Sequence, residues 1–569
     1  MTTHAGRRET PDPVTLEVIR HGLVAAAEQM ATSIERSAHS QVIREMLDYS
    51  TALFDAEGGI VAQSTRIPMH LNSMTRALRT IIGRFPVAEW QQGDVYCTND
   101  PYSGGQHLPD IQTFSPVVVD NLPIAIAGTL GHHLDVGGRA PASYGADATE
   151  IYQEGFRIPP CRIVTAGEPN ELFLPLFESN IRVPLKTVSD LRAQIAALSI
   201  GSSEVIRLAH RYGAEVVLAA TRALIASSER RMRAAVSKLP EGVFEAEDMV
   251  DGDGLDDQPL LVRVAVERRG DTLHVDFSGT ASQTRGPINC PIASTESAVY
   301  YAVTAILDPG IAPNHGSYLP IEVIAPYGSV LNPKPPAPVV GRNVLTHRVA
   351  TVVMAALGEA VPERALAPYY GNSNVYVLSA YDDEGRANVQ FEIEVGGWGG
   401  RPGLDGPDCL SAGVHNLANN PIELVENEFP LRVIRYKLRQ DSGGPGRFRG
   451  GLGAERTFEL LVDCELSTQF DRVKFPPPGL HGGGAGAAAR ILVEHEGEIT
   501  ELPGKSSGVR LSRGDRVTVL TQGGGGLGPA AERDPAALAR DVASGKVSEE
   551  AARTAYAVAN TDAVGAPTA

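Results

Sequence analysis

The sequence predicts an α+β fold with several domains, in which mixed sheets carry flanking helices and the C-terminal unit is rich in β-strands. Length is the first reason, because 569 residues exceed what one hydrophobic core can serve. Composition is the second, since 59 glycines and 40 prolines favour turns and short strands over a helical bundle. The third is that segments with helical spacing are interspersed with short strand-like segments. We expect domains at residues 1–240, 241–441 and 442–530, followed by a helical tail at 531–569.

The first predicted domain begins with a helix that leads into two strands. In chain order we expect a helix (15–47), strands (48–55 and 60–63), a short helix (69–85), a hairpin region (93–138), a loop-rich stretch (139–184) and a long helical segment (186–239). Thr15 follows Pro13 at a position suited to capping the first helix. Asp48 then lies at a junction between helix and strand, where a side chain can be held in place and still reach a cleft.

The second and third predicted domains contain shorter elements. In the second we expect strands at 260–267 and 272–277, a helix at 294–307, a proline-rich extended stretch at 309–338, a helix at 342–360, and strands at 375–380 and 389–395. In the third, after a glycine-rich loop at 442–453, we expect strands at 454–461, 465–470, 489–494 and 516–521. Short strands bounded by turn signals indicate a small sandwich or barrel-like unit. Residues 535–556 are expected to form one or two amphipathic helices.

Charge and cysteine usage exclude several classes of protein. The formal net charge of −18 argues against nucleic acid or anionic lipid as partner, since both need clustered Lys and Arg. Five widely spaced cysteines without a CxxC pair are typical of a reducing compartment. The N-terminus lacks the apolar segment of a secretory signal, and no apolar run approaches the roughly 20 residues that span a membrane. We therefore expect a cytoplasmic protein.

The hairpin region carries the side chains in which we expect the chemistry. His107 and Asp110 are three residues apart across Leu-Pro, so a turn can direct both at one centre. His132 lies at the far end of the hairpin, which brings it back to them, and Asp48 is available as a fourth ligand. A set of two His and two Asp suits Zn2+, Mn2+ or Fe2+. The alternative, that these are ordinary hydrogen-bonded loop residues, is left open by the spacing alone.

His133 follows His132 directly, so in an extended chain the two rings face opposite ways. At most one of them is expected to bind the metal. We assign His133 as the catalytic candidate, a general base, although it could also support a ligand or be a buried histidine that donates to a carbonyl.

Three apparent nucleotide or nucleophile motifs do not meet their structural requirements. Gly504-Lys505-Ser506 resembles the end of a P-loop, but the earlier glycine would fall at Ile499. The same stretch spells GxSxG, yet its flanks suggest a loop between strands, not a strand-to-helix turn. The glycines at 523–526 lack a following helix. We expect no nucleotide site in this chain.

Several stretches together resemble the hydantoinase B/oxoprolinase family. They are DPVTLEVIRHGL, LDYSTALFD, GDVYCTNDPYSGGQHLPDI, GHHLDVGG, DFSGTASQTRGPIN, PIEVIAPYGSVLNPKPPAPV, RYKLRQDSGGPGRFRGG and TQGGGGLG. Because they cover nearly the whole chain in order, the resemblance is far stronger than any one motif. It implies one subunit of a two-component enzyme: an ATP-dependent hydantoinase, a 5-oxoprolinase, a lactamase of the caprolactamase kind, or an acetone or acetophenone carboxylase.

The resemblance also implies site residues and a partner. The family's metal ligands match Asp48, His107, Asp110 and His132, which the resemblance assigns to a divalent metal. Its hydantoinase A-type partner binds ATP and phosphorylates the substrate oxygen. Where many members have Gly-Gly-Asn, this chain has Gly341-Arg342-Asn343, and we expect Arg342 and Asn343 to contact the substrate.

We therefore expect the B-type component of a hetero-oligomeric cyclic-amide hydrolase that acts on a small hydantoin, 5-oxoproline or lactam. Phosphorylation of the carbonyl oxygen by the partner would create a good leaving group, and a metal could then activate water for attack. Two alternatives stay open: a component of an ATP-dependent ketone carboxylase that uses the same metal, and a scaffold component whose metal is structural.

Overall fold

The computed structural model of this protein describes residues 11–411 and 413–556. Within those ranges the strands form four sheets with helices packed against them, so the predicted multidomain α+β class is confirmed. No helix in these ranges is long and apolar enough to cross a bilayer. The N-terminal residues 1–10, where no signal segment is expected, and residues 557–569 of the predicted tail lie outside the described residues.

The first sheet carries the predicted hairpin at its centre. Its strands are β1 (Tyr49–Phe54), β2 (Ile60–Gln63), β3 (Val95–Thr98), β4 (Asp110–Val119), β5 (Leu122–His132), β6 (Cys161–Thr165) and β7 (Glu168–Pro169). They lie in the order β2-β1-β5-β4-β3-β6-β7. Alternation along β1 sends Tyr49 and Leu53 into the core on one face, and Ala52 and Phe54 into the core on the other. Both faces are therefore covered.

The covering helices of this sheet are α1 (Pro13–Ser37), α2 (Gln41–Arg44), α3 (Pro68–Arg84), α4 (Phe173–Glu178), α5 (Pro184–Tyr212) and α6 (Ala214–Val236). On one face α1 and α5 pack against each other and against the sheet. On the other face α3 contributes Met74 and Leu78 to a core with Phe114 and Leu130.

Two predicted helices are in fact broken. The helix predicted over 15–47 ends at Ser37, because Ser40 caps the separate helix α2 and Asp190 Oδ1 accepts from the Ser40 amide at 3.2 Å. The cap of α1 is Asp12, not Thr15, whose hydroxyl donates to the Asp12 carboxylate. The segment 186–239 is likewise split into α5 and α6 at Gly213, whose φ of 92° only glycine adopts readily.

The second sheet lies in the predicted central domain. Its strands are β8 (Val243–Val250), β9 (Leu260–Arg269), β10 (Thr272–Asp276) and β11 (Ile321–Ile324), in the order β11-β10-β9-β8 with β10 and β11 parallel. Its helices are α7 (Ile292–Leu307), α8 (His315–Tyr318) and α9 (Asn343–Ala360). Strand β8 was not predicted, because its sequence VFEAEDMV is acidic and its side chains are mostly exposed or half-buried. The stretch 309–338, predicted as extended, contains α8 and β11.

The third and fourth sheets each combine strands from before and after the predicted domain boundary at residues 441–442. The strands are β12 (Asn374–Tyr381), β13 (Ala387–Glu394), β14 (Leu431–Leu438), β15 (Ala454–Leu460), β16 (Cys464–Gln469), β17 (Arg490–His495), β18 (Glu498–Leu502), β19 (Lys505–Leu511) and β20 (Arg516–Leu520). The sheet orders are β13-β12-β16-β19 and β14-β15-β20-β17-β18. Helices α10 (Ile422–Glu428), α11 (Pro535–Ala543) and α12 (Glu549–Thr554) complete the described chain. The arrangement of the sheets does not define where one domain ends and the next begins, so the domain limits stay predictions.

Candidate metal centre

The β4–β5 hairpin brings His107, Asp110 and His132 to one point. Asp110 begins β4 and His132 ends β5, and the two residues are direct partners in the antiparallel register. His107 is held next to them by the turn before β4, where the Asp110 amide donates to the His107 carbonyl at 3.0 Å. Each residue offers one ligand atom, and these atoms all lie within 4.8 Å of one another. The spacing of a metal site is thus present.

The donor atoms of this cluster are buried and incompletely satisfied. The three side chains are at most 3% exposed. Neither ring nitrogen of His132 has a hydrogen-bond partner among the described residues, and nor does Asp110 Oδ1. Buried polar atoms without partners are costly and uncommon in proteins. Two imidazoles and one carboxylate suit Zn2+, Mn2+ or Fe2+, so the residues present fit a divalent cation.

Electrostatics keeps the cluster in the protonation states that a metal ligand needs. Burial, with His107 beside it, lowers the pKa of His132 well below its usual value. Burial raises the pKa of Asp110, but His107 and Arg342 outweigh it and hold that pKa well below the ordinary range. Neutral imidazole and ionised carboxylate are the ligating forms.

Asp48 lies beside the cluster but not within it. The His132 amide donates to the Asp48 carbonyl at 3.0 Å, so the backbones are in contact. The Asp48 carboxylate lies 3.4 Å from Nε2 of His70. Burial, with the negative charge of Asp110, raises the pKa of Asp48 to about 8. Its role as a fourth ligand stays a prediction.

His70 is a residue of this site that sequence reasoning missed. It lies in the first turn of α3, is 1% exposed, and its Nδ1 is 3.2 Å from the Ser50 hydroxyl. Burial lowers its pKa to about 3. One signal in the sequence could have indicated it. Strand β2 runs antiparallel to β1, so the chain after β2 returns to the end of β1 where Asp48 lies. His70 is at the start of the helix predicted there.

Arg342 enters the cluster from the central part of the chain. It is 3% exposed, and its Nη2 donates to Asp110 Oδ2 at 2.7 Å. The sequence predicted a substrate contact at this position, and the structure places the guanidinium directly on a candidate metal ligand. Asn343, the second predicted substrate residue, begins α9 and donates to the Ser373 carbonyl at 3.4 Å.

Next to Asn343 lies a second buried polar group that the sequence did not indicate. The hydroxyl of Ser373 contacts Nε2 of His415 and lies 3.2 Å from Nε2 of His347. Tyr369 OH is 2.9 Å from the other ring nitrogen of His347. These residues come from separate loops and from α9, so no spacing in the sequence connects them.

Aromatic rings cover the cluster. The Phe391 ring centroid lies 5.1 Å from that of His132, and the Tyr144 centroid lies 6.0 Å from that of His107. Phe391 belongs to β13 of the third sheet, so the centre is enclosed between the first and third sheets. Apolar cover strengthens every charge interaction inside, because it excludes water.

His133, the predicted catalytic residue, faces the other side of the sheet. Its Nε2 lies 2.8 Å from Oε1 of Gln194 on α5, and the Gln194 amide donates to the Ile111 carbonyl at 3.0 Å. The opposite orientation of His132 and His133 follows from strand alternation. The structure does not bring His133 to the cluster, and its catalytic role stays a prediction.

The rejected phosphate motif is part of a strand. Residues from Lys505 onward form β19, and the Lys505 ammonium, 6% exposed at its side chain, donates to Asp471 Oδ1 at 2.9 Å. An ammonium held by a buried carboxylate is not free for a nucleotide phosphate.

Comparison with known proteins yields consistent similarities. The sequence model of the family described as Hydantoinase B/oxoprolinase matches residues 12–530. The chain is 34% identical over 573 residues to the putative B-type component of a D-/L-hydantoinase from Pseudomonas sp., covering 97% of this chain and 96% of that one. Its fold matches the crystal structure of the ATP-dependent caprolactamase of Pseudomonas jessenii with a TM-score of 0.91 at 30% identity, over 98% of both chains. A nucleotide-free acetone carboxylase gives a TM-score of 0.88 at 19% identity, over 96% of this chain and 80% of that one, which shows a shared fold alone.

Proposed function

This chain belongs to the hydantoinase B/oxoprolinase family, and from that membership we propose that it is the B-type component of a two-component, ATP-dependent cyclic-amide hydrolase. Its substrate class is a hydantoin, 5-oxoproline or a related lactam. The observation that carries the proposal is the buried group of His107, Asp110 and His132, each of which offers a ligand atom within 4.8 Å of the others. Both nitrogens of His132 and Oδ1 of Asp110 have no partner among the described residues.

In this proposal each residue of the centre has a distinct task. His107, Asp110 and His132 would hold a divalent cation, with Asp48 as a fourth ligand. When bound, such a cation supplies Lewis-acid activation of water and of the carbonyl oxygen. Arg342 offers a guanidinium suited to phosphoryl oxygens, and Asn343 adds an amide beside it. Phe391 and Tyr144 exclude bulk water from the reacting group.

The ATP step is assigned to a separate chain of the hydantoinase A type. The related hydantoinase and caprolactamase proteins are each named as one component of a larger enzyme, which supports a partner. The chemistry supports it as well, because an unstrained cyclic amide is a poor electrophile and phosphorylation of its carbonyl oxygen makes the carbon easier for water to attack. Cleavage of the ring C–N bond would then give a ring-opened acyl phosphate, and a second water would release the acid and phosphate. A cytoplasmic location agrees with five cysteines that are all free thiols.

Ketone carboxylation is the second candidate, because the family resemblance implies it beside cyclic-amide hydrolysis; the match to acetone carboxylase adds only a shared fold. A scaffold role with a structural metal is the third candidate. A closed structural zinc site uses four protein ligands, so this role would be favoured if Asp48 joined the three converging residues and no position were left for water. We prefer hydrolysis because relatives that match over the full length of this chain carry hydantoinase and caprolactamase names.

The deciding experiment uses the complex purified with its co-expressed partner. In bicarbonate-free buffer with ATP, we expect a hydantoin or a lactam to yield the ring-opened acid, and we expect the His107→Ala complex to yield none. The isolated chain should turn over no ATP. If no cyclic amide is opened, and a ketone consumes ATP only when bicarbonate is added, the carboxylase candidate replaces the hydrolase.

A further inference from the structure

Arg342 is a permanent cation buried inside the candidate metal centre. Its side chain is 3% exposed, and its Nη2 lies 2.7 Å from Asp110 Oδ2. A guanidinium is protonated at any pH at which the protein is folded. A metal ion that binds Asp110 therefore meets a positive charge that is already there.

Hydrogen bonds hold the backbone on both sides of this side chain. Residues Val339 and Val340, just before it, donate their amides to Oε1 of the buried Glu154 at 2.7 and 2.8 Å. The Arg342 carbonyl accepts from the Thr346 hydroxyl at 3.0 Å in the first turn of α9. The backbone is thus held on both sides of Arg342, and Asp110 holds the guanidinium.

The protein binds one carboxylate oxygen of Asp110 and leaves the other available to a ligand. Oδ2 receives Nη2 of Arg342 and lies 2.8 Å from Nδ1 of His107. Oδ1 has no partner among the described residues. A cation can reach Oδ1 without displacing Arg342, but the negative charge it meets is already balanced.

We propose that Arg342 is a fixed charge of the metal centre that neutralises Asp110 in the metal-free protein and so weakens the binding of divalent cations. The inference rests on the metal assignment of the proposed function. Occupancy of the centre here should be more readily reversible than in a centre without the arginine.

The test is metal affinity, which needs neither partner nor substrate. Chelator-stripped full-length chain is titrated with Mn2+ and with Zn2+ by calorimetry. Arg342→Gln removes the charge and keeps a polar amide on a shorter side chain. We expect at least about tenfold tighter binding, similar in size but opposite in sign to the usual effect of losing a residue around metal ligands. Arg342→Lys keeps the charge and should stay within about threefold of wild type.

Arg157→Gln is the matched control. Arg157 pairs with Asp100 through two hydrogen bonds of 2.9 and 3.0 Å outside the cluster, so its loss should leave metal affinity unchanged. Thermal unfolding supplies a second readout: Arg342→Gln should lower the midpoint of the stripped protein and raise the extent to which metal increases it. A variant that simply distorts the fold would lower both.

The outcomes separate this inference from the proposed function. If wild type binds metal and Arg342→Gln binds it equally or more weakly, Arg342 orients Asp110 and the charge proposal is wrong, while the function stands. If neither wild type nor any variant binds a divalent cation, the metal assignment fails and both proposals fall.

Discussion

Two buried polar groups in this chain both contain aspartates, but they differ in what surrounds those carboxylates. The first, which we call the ion cluster, joins β8, α9, β19 and the segment after β16. It consists of three carboxylates and three cations: Asp248, Asp251, Asp471, Arg348, Arg472 and Lys505. The second is the metal centre formed by His107, Asp110 and His132. Both are almost entirely shielded from solvent.

Every charged group of the ion cluster has partners in the chain itself, although Nε of Arg348 and Nε of Arg472 have none among the described residues. Asp248 accepts from Arg348 at 3.0 Å and from Arg472 at 2.7 Å, and Asp471 accepts from Arg348 and from Lys505. Asp251 accepts three backbone amides at 2.6–3.1 Å. In the metal centre, by contrast, both nitrogens of His132 are left without partners among the described residues. The ion cluster therefore balances its own charges, whereas the metal centre leaves donor atoms that a cation could bind.

The largest expected effect comes from breaking the ion cluster. Arg348→Met removes a fully buried guanidinium that serves two carboxylates, so we expect the free energy of unfolding to fall by about 3–5 kcal/mol. Metal content should stay at the wild-type level. Urea unfolding and elemental analysis measure the two quantities.

The control for this change is Arg386→Met. Arg386 is 75% exposed at its side chain and pairs with Asp382 and Glu384 in the β12–β13 turn, and exposed pairs contribute about 0–1 kcal/mol. An equally small loss for Arg348→Met would show that the ion cluster does not stabilise the fold.

A substitution in the metal centre should raise the free energy of unfolding of the metal-free protein, not lower it. The imidazole of His132 has no partner for either nitrogen among the described residues. His132→Leu exchanges it for an apolar side chain of similar size. We expect complete loss of bound metal, together with a rise in the stability of the metal-free protein of about 1 kcal/mol, since an unsatisfied buried group costs about 1–3 kcal/mol. Elemental analysis and urea unfolding of stripped protein check both parts.

His133→Leu is the neighbouring control, because it removes the contact with Gln194 on the other face of the sheet. It should retain metal and lose about 1 kcal/mol of stability. If His132→Leu keeps its metal, the assignment of that ligand is wrong.

Part of the fold and part of the metal centre could be predicted from the sequence. The hairpin was predictable, because two polar motifs bracket one apolar run, and strand pairing then places Asp110 opposite His132. The family resemblance rested on motifs spread along the chain, and the family is confirmed. Helix breaks at Ser40 and Gly213 were missed, because tertiary contacts and a single glycine ended segments whose apolar spacing continues.

Long-range contacts set the limit of sequence reasoning. Arg342 lies 232 residues beyond Asp110, and His70, Phe391 and His415 reach the site from three further segments. No local pattern encodes such meetings, because they depend on how whole sheets pack. Strand β8 was missed for a different reason: its acidic side chains gave no apolar alternation to read.

A further effect that we expect is a pH dependence of the free energy of unfolding that belongs to the ion cluster. Burial raises the pKa of Asp471, but Lys505 and Arg348 outweigh it and lower that pKa to about 2. A carboxyl whose pKa is lower in the folded protein than the ordinary 3.8 contributes stability that is present above about pH 4 and lost as pH falls towards about 2. The difference of nearly two pKa units corresponds to about 2 kcal/mol. Urea unfolding of wild type and Asp471→Asn between about pH 5 and pH 2 measures it: the gap between them should shrink by that amount as pH falls, because the asparagine does not titrate. A gap that stays constant over this range would show that the pKa of Asp471 is the same in the folded and the unfolded protein. The ion cluster would then not lower that pKa.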